Sequence, residues 1–413
     1  MSLLKGVRVV EMGLWVAGPA SAGILADWGA EVIKLEMPTG DPMRRLYGAV
    51  YGLDEDRCPP FELYNRGKRS VAVDVNQPDG LALIKRLIAT ADVFVTNMRP
   101  KFLERVGLDY ATLSVAQPGL VYASLTAYGL TGPDCDAPGY DMAAYSGRSG
   151  IAERATPPGA EPPVLPGGLG DNVSAITMVA GIMGALFHRA RTGEGQLVST
   201  SLLRAGIYSI GMDVATRIGF GRGSAPQSRQ RPQNPLMNSY RAGDGSWFWL
   251  VGAESQRHWP GIAAALGCTE LVDDPRFNSP RERRRNAEVM VTILQGLIAN
   301  RTRAEWAEVF REHDVWWAPI NSIDDIMTDP QVVASGAYVA VPGRPPSELV
   351  NGFNGVATPI DFSRTQVGPM GPPPAIGADA DDLLGALGID AAELARLRAS
   401  GVLAPAPEAP PAS

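Results

Sequence analysis

The stretch VRVVEMGLWVAGPASAGILADWGAEVIKLE, residues 7–36, decides the fold. VRVVEM (7–12) and AEVIKLE (30–36) are short apolar runs rich in β-branched residues, and PASAGILADWG (19–29) between them is a run of helix formers closed by glycine. A helix between two strands returns the chain to the same end of a sheet, so the strands pair in parallel. The pattern repeats outward. SVAVDV (70–75), DVFVTN (92–97) and GLVYASL (119–125) read as further strands, and PDGLALIKRLIATA (78–91) as a helix. Nearly continuous apolar strands belong to a sheet covered on both faces. The expected fold class is therefore α/β, a doubly wound and mostly parallel sheet.

Residues 126–170 are rich in Gly and Pro and read as loop. Helices are expected over 172–191 and 198–216, joined at TGEGQ. GFGRGSAPQSRQRPQNP (219–235) is a polar linker, after which NSYRAGDGSWFWLVGA reads as a hairpin around AGDGS. Helical patterns over 281–300 and 302–314 complete a smaller α+β region. A last helix is expected over DADDLLGALGIDAAELARLRASG. The expected organisation is a large domain over 1–220, a small α+β domain over 225–330, a return to the large domain over 335–403, and a disordered Pro/Ala-rich tail over 404–413.

The 413 residues suffice for two domains and a sizeable core. A net charge of −7 gives no general reason to expect nucleic-acid binding. Three widely spaced cysteines (Cys58, Cys135, Cys268) argue against a disulfide framework or a structural zinc site and fit a reducing compartment. The N-terminus lacks a signal-peptide pattern, and no run of uninterrupted apolar residues has membrane-spanning length. A cytoplasmic enzyme without a membrane partner is the expectation.

Chemistry concentrates in GGLGDNVSAITMVAGIMGALFHRARTGEGQ (167–196), where glycines place Asp171 at the start of a long apolar helix. Asp171 reads as an N-cap, a role that stabilises a helix by about 1 kcal/mol. The same place allows a nucleophile, because helix amides favour an ionised carboxylate and glycines admit a ligand close to the backbone. Spacing does not choose between them. Lys34, Arg44, Arg45, Arg66, Lys68, Arg69, Arg99, Lys101 and Arg105 are either solvated surface or, since most follow strand ends, cations for a polyphosphate. MGLWVAGPASAG is not GxGxxG, which disfavours a nicotinamide dehydrogenase. His188, His258 and His313 read as structural, and no HExxH or GxSxG occurs.

Longer stretches carry a resemblance. LLKGVRVVEMGLWVAGPASAGILADWGAEVIKLEMPTGDPMR, NRGKRSVAVDV, ADVFVTNMRPKFLERVGL, LVYASLTAYGLTGPDCDAPGYD and GDNVSAITMVAGIMGALFHRARTGEGQLVSTSLL together resemble the class III CoA-transferases. That group also holds the α-methylacyl-CoA racemases. The likeness continues more weakly through SYRAGDGSWFWLVGA and APINSIDDIMTDPQV.

The resemblance implies an interlaced homodimer of two-domain subunits, with acyl-CoA and a carboxylic acid as substrates. Coenzyme A would enter as a thioester substrate, with no metal or redox cofactor. It makes Asp171 the nucleophile and places Tyr140 near the thioester. Val16 and Ala17 fall beside the pantetheine, and Val73, Asn97 and Met98 along the nucleotide. Arg105 resembles a phosphate-binding arginine. Asp141 stands at a position that is acidic in some relatives.

Departures occur too. Met37 replaces an adenine-facing arginine of the formyl-CoA enzyme, and Val16 a glutamine that gates its acid site. That enzyme's mobile glycine-rich loop has no counterpart, which disfavours formyl or oxalyl specificity. Trp15, Met37, Met142, Tyr145, Trp316 and Trp317 are candidates for an apolar acyl pocket or for ordinary core. Arg148 and Arg222 are candidates for an acceptor carboxylate or equally for surface charges.

Racemisation needs two acid/base groups on opposite faces of the α-carbon. The racemases have Gly-His-Asp where this chain has Gly139-Tyr140-Asp141, and an ordinary tyrosine, with a pKa of roughly 10, is a poor base at neutral pH. The expected function is CoA transfer through an aspartyl anhydride and an enzyme–CoA thioester. An α-methylacyl-CoA racemase and a non-catalytic acyl-CoA binder are the alternatives.

Overall fold

The computed structural model describes residues 2–52, 57–223 and 226–406. The chain divides into two compact units. One draws on Met1–Ala152, Val164–Gly221 and Pro330–Ser413; the other on Glu153–Pro163 and Arg222–Asp329.

The larger unit is built on six parallel strands: β1 (Arg8–Met12), β2 (Glu31–Glu36), β3 (Arg69–Ala72), β4 (Val93–Thr96), β5 (Val121–Thr126) and β6 (Leu197–Ser201). Their order is β3-β2-β1-β4-β5-β6. Neighbouring residues of one strand enter opposite cores, as the pleat requires. Val10, Ile33, Phe94 and Tyr122 join the face covered by Leu83, Ile84 and Leu87 of the Pro78–Ile88 helix. Val9, Val32, Val93 and Val121 join the other, covered by Leu25 of the Ala17–Asp27 helix and by Met178, Val179 and Ile182 of a long helix, Leu169–Thr192. Burial on both faces is why these strands read as apolar runs without alternation.

β6 corrects the sequence reading, which made 198–216 one helix. LVSTS pairs with β5 from Tyr122↔Leu197 to Thr126↔Ser201. It is half-exposed and short, so its pattern is weak. The Ser201 hydroxyl then accepts from Arg204 N–H at 3.1 Å and starts Leu202–Ser209, followed by Gly211–Phe220. The last expected helix is likewise two, Ala380–Gly385 and Ala391–Ala399, broken at Gly388 (φ 80°) and restarted by the Asp390 cap. The tail starts later than expected. Val73 bridges Leu403, and buried Ala404 donates its N–H to Ala72 O at 3.0 Å. Residues 407–413 of the expected tail lie outside the described residues.

The long helix has the length and mean hydropathy (1.4) of a membrane span, which the count of uninterrupted apolar residues did not register. Its inner side is packed in the core of the larger unit.

The smaller unit holds an antiparallel sheet of β7 (Met237–Arg241), β8 (Trp247–Val251) and β9 (Trp317–Pro319). The first two are the expected hairpin; β9, three residues long, gave no readable pattern. Helices Ser255–Leu266, Ala287–Ile298 and Arg303–Glu312 bring Trp259, Met290 and Phe310 into one core with Tyr240 and Phe248 of the sheet. The expected 281–300 helix is interrupted at Asn286. Two short strands, β10 (Tyr338–Val339) and β11 (Gly355–Val356), pair in the larger unit.

Candidate active site

Strand order reverses between β1 and β4, so the loops leaving their carboxyl ends part in opposite directions and open a crevice. A cavity of about 440 Å³ lies there. Leu14–Ala17 after β1, Asn97–Pro100 after β4 and Leu125–Ala127 at the end of β5 line it, with Pro138, Tyr140 and Asp171.

The loop after β1 is held by side chains from three directions. Asn97 accepts from Leu14 N–H at 2.9 Å and donates to Leu14 O at 2.8 Å. Lys34 Nζ donates to Gly13 O at 3.1 Å, and Asp41 Oδ1 accepts from Trp15 N–H at 3.3 Å. Trp15 is thereby kept at φ 62°, a left-handed conformation costing a bulky residue about 1–3 kcal/mol. Behind the loop lies a fully buried charge cluster. Glu11 pairs with Lys34 at 3.1 Å and Lys68 at 2.7 Å, and Lys34 pairs with Asp41 at 3.0 Å. Burial acts to raise the Glu11 carboxyl, but the two ammonium groups outweigh it and hold it below the usual carboxylate range.

Asp171 differs from its expected setting. The N-cap of the long helix is Gly168, in the left-handed region at φ 78°, and Asp171 stands in the first turn without capping it. The carboxylate that takes up the free amides belongs to Asp141: its Oδ2 accepts from Gly170 N–H at 3.1 Å, with the amides of Gly168 and Asp171 also directed to it. Of the turn amides, Gly170 N–H is thus engaged by Asp141. Burial, with the Asp141 charge adding to it, pushes Asp171 up to about 7, contrary to a carboxylate kept ionised by helix amides alone. Burial also raises Asp141, against the opposing pull of these backbone amides.

Gly170 makes the approach of the two acids possible. A Cβ there would overlap the Tyr145 ring and the Asp141 carboxyl. Gly170→Ala is therefore expected to cost about 1–3 kcal/mol by overpacking, read as a lowered melting temperature, and to reduce turnover by displacing Asp141 from the helix end.

Of the expected site residues, Val16, Ala17, Asn97, Met98, Tyr140 and Asp171 line one cavity. Val73 does not: it is buried in the core and its N–H goes to Glu36 O at 2.8 Å. Arg105 is also outside the lining, its guanidinium over the Phe102 ring at 5.3 Å. Asn97 lines the cavity with its amide engaged by Leu14, which makes it a loop anchor before it is a nucleotide contact.

The basic residues separate. Lys34 and Lys68 serve the buried cluster, Arg66 pairs with Asp27 at 2.6 Å, and Arg44 with Glu36 at 2.6 Å. Arg69 bonds Glu31, Asp379 and Asp382. Arg99 alone among them lines the cavity. Of the acyl-pocket candidates only Trp15 does so. Met37 packs on the sheet core, Tyr145 is buried, Met142 is exposed, and Trp316 and Trp317 belong to the smaller unit. Arg148 pairs with Asp134, and Arg222 falls in the smaller unit.

Tyr64 was not singled out from sequence. Its hydroxyl bonds Asn172 and feels the charges of Asp171 and Asp141, which add to burial in raising its pKa. Only a tertiary contact reveals it. Among the described residues, no group of three or more His, Cys, Asp or Glu is placed to hold a metal ion.

An open parallel sheet with a half-buried carboxylate in the crevice at its switch point defines an α/β fold with a ligand site, and comparisons with known proteins specify its activity. The model described as "CoA-transferase family III" matches residues 4–380. The (R)-2-hydroxy-4-methylpentanoate CoA-transferase of Clostridioides difficile is 31% identical over 404 residues, covering 97% of this chain and 99% of that protein. The succinate–glutarate CoA-transferase of Agrobacterium fabrum is 32% identical, covering 91% and 93%. A crystal structure of a CaiB/BaiF family protein from Brucella suis superposes with a TM-score of 0.80 at 28% identity, covering 94% of this chain and 99% of that one. The chain belongs to CoA-transferase family III and is an enzyme of that type.

Proposed function

We propose that the protein moves CoA from an acyl-CoA to a carboxylic acid by covalent catalysis at Asp171. The observation that carries this reading is a half-buried carboxylate, pushed up to about 7 by desolvation and by the Asp141 charge, on the wall of a largely apolar cavity at the switch point. A carboxylate of that basicity is a stronger nucleophile than an ordinary aspartate and is still ionised in half the molecules near neutral pH.

The steps balance without a redox partner. Asp171 attacks the thioester carbon, the C–S bond breaks, and CoA leaves as thiolate. The thiolate then attacks the aspartyl carbonyl of the anhydride, releasing the donor acid and forming an aspartyl–CoA thioester. The acceptor carboxylate attacks that carbonyl and expels the thiolate, which takes the new acyl group from the second anhydride. Asp171 returns unchanged. The apolar walls keep water from the anhydride and the thioester.

Val16 and Ala17 beside Asp171 suit the pantetheine end, Tyr140 the thioester, and Met98 the way towards the nucleotide. A homodimer completes the reading. Ile176 and Phe187 on the long helix and Tyr208, Met212, Ile218 and Phe220 after β6 are exposed apolar side chains that a second copy would cover. Sedimentation equilibrium tests it. The cytoplasm, which supplies acyl-CoA and keeps Cys58, Cys135 and Cys268 reduced, suits this chemistry.

The protein incubated with a panel of acyl-CoAs and hydroxylamine, then peptide-mapped, is expected to carry a hydroxamate on Asp171. No adduct, with deuterium exchange at the α-carbon of a 2-methylacyl-CoA, would transfer the assignment to a racemase. The same assay has a pH signature. Asp171 must be deprotonated to attack, so kcat/KM rises with pH through about 7 and is roughly tenfold below its plateau at pH 6. Asp141→Asn keeps an acceptor for Gly170 N–H but removes the like charge, so the limb moves to lower pH. A limb that stays in place would remove Asp141 from the account.

A further inference from the structure

We propose that Trp15 determines which acyl group the enzyme accepts, its indole and Tyr140 forming an aromatic corner that fits a branched apolar or aryl carboxylic acid better than a dicarboxylic one. The inference rests on the CoA-transferase reading of the same cavity and gives it a substrate class.

Trp15, Asp314 and Asn351 are the non-glycine residues with positive φ among the described residues. Asp and Asn tolerate that region through local hydrogen bonds, whereas tryptophan gains nothing from it. Its conformation is imposed by Lys34, Asn97 and Asp41 on Gly13, Leu14 and Trp15 in turn. The result fixes the indole on two sides. It meets the Tyr140 ring edge-on, centroids 6.3 Å apart at 82°, and with Val16, Tyr47 and Tyr64 it packs on the small cluster of Met43, Cys58 and Phe61.

The corner faces a cavity whose other walls include Leu14, Phe102, Leu125, Pro138 and Leu202. Arg99 is the one cation among the described lining residues, and it is an exposed one. A second substrate carboxylate would have to be desolvated against these walls, while a branched or aryl group gains contact with them.

The test compares the full-length protein with Trp15→Gly and Trp15→Phe, measuring kcat/KM and Asp171 trapping for acetyl-, succinyl-, 4-methylpentanoyl- and cinnamoyl-CoA. Glycine adopts φ 62° without strain, so it removes the ring while sparing the loop; phenylalanine keeps an aromatic face. The wild type is expected to favour the 4-methylpentanoyl and cinnamoyl donors. Trp15→Gly should lower that preference over acetyl-CoA by about tenfold or more, and Trp15→Phe should stay within a few-fold of wild type. An equal loss for all four donors would make Trp15 a loop spacer and overturn the proposal, as would a wild type that favours succinyl-CoA. Absence of Asp171 trapping with every donor in the wild type would bring down the transferase reading itself, and this inference with it.

Discussion

Asp171→Ala is expected to reduce CoA transfer by at least about 10³-fold while leaving the fold and CoA affinity close to wild type. Loss of a covalent nucleophile removes the route itself, and the residual rate reflects binding alone. The substitution also removes an acid that burial and Asp141 hold near 7, so it deletes an unfavourable charge from the first turn of the long helix. The melting temperature should therefore hold or rise. Retained transfer, measured by product formation and hydroxamate trapping, would end the assignment of Asp171 as nucleophile.

Glu11→Ala should produce the largest loss of stability, about 3–5 kcal/mol, the range for breaking a buried ion pair from one side. Out of a typical total of roughly 5–15 kcal/mol, that is enough to compromise folding. Both lysines that meet Glu11 have fully buried side chains. Lys34 keeps Asp41, but Lys68 is left with Pro19 O and Asn65 Oδ1.

The pH dependence gives the sign. Burial already pushes Lys68 down to about 8, with Glu11 opposing it. Without Glu11 the lysine falls further, so below pH 8 the folded variant binds fewer protons than folded wild type. Its stability then rises with pH relative to wild type. The deficit narrows as pH approaches about 8 and is level above it. Urea unfolding of both proteins at several pH values measures this, and a constant deficit from pH 6 to 8 would show that Lys68 is not the uncompensated group.

What the sequence disclosed followed from how much each residue's own neighbours constrain it. β1 to β5 were legible because burial on both faces leaves apolar runs, and the β7–β8 hairpin because AGDGS marks its turn. β6 and β9 are short, and neither holds a buried apolar run that its own residues reveal. Asp171 was visible from the glycines before it. Its chemistry was not, since burial and the approach of Asp141 from thirty residues upstream reverse what a helix terminus does to a carboxylate. The basic residues misled for a related reason: a lysine in or near a strand looks the same whether it meets a phosphate or, like Lys34, an interior acid. Tyr64 left no local mark at all.

The pairing of Ala404 with Ala72 has a consequence for biosynthesis. The β3 flank of the large sheet is closed by segments that a ribosome delivers long after β3 itself, Leu383, Leu384, Leu394 and Leu397 being part of the core on that face. Until residue 404 has left the exit tunnel, that apolar face stays uncovered, while both segments of the smaller unit, Glu153–Pro163 and Arg222–Asp329, have already emerged. A nascent chain stalled near residue 376 would thus be the form most in need of a chaperone.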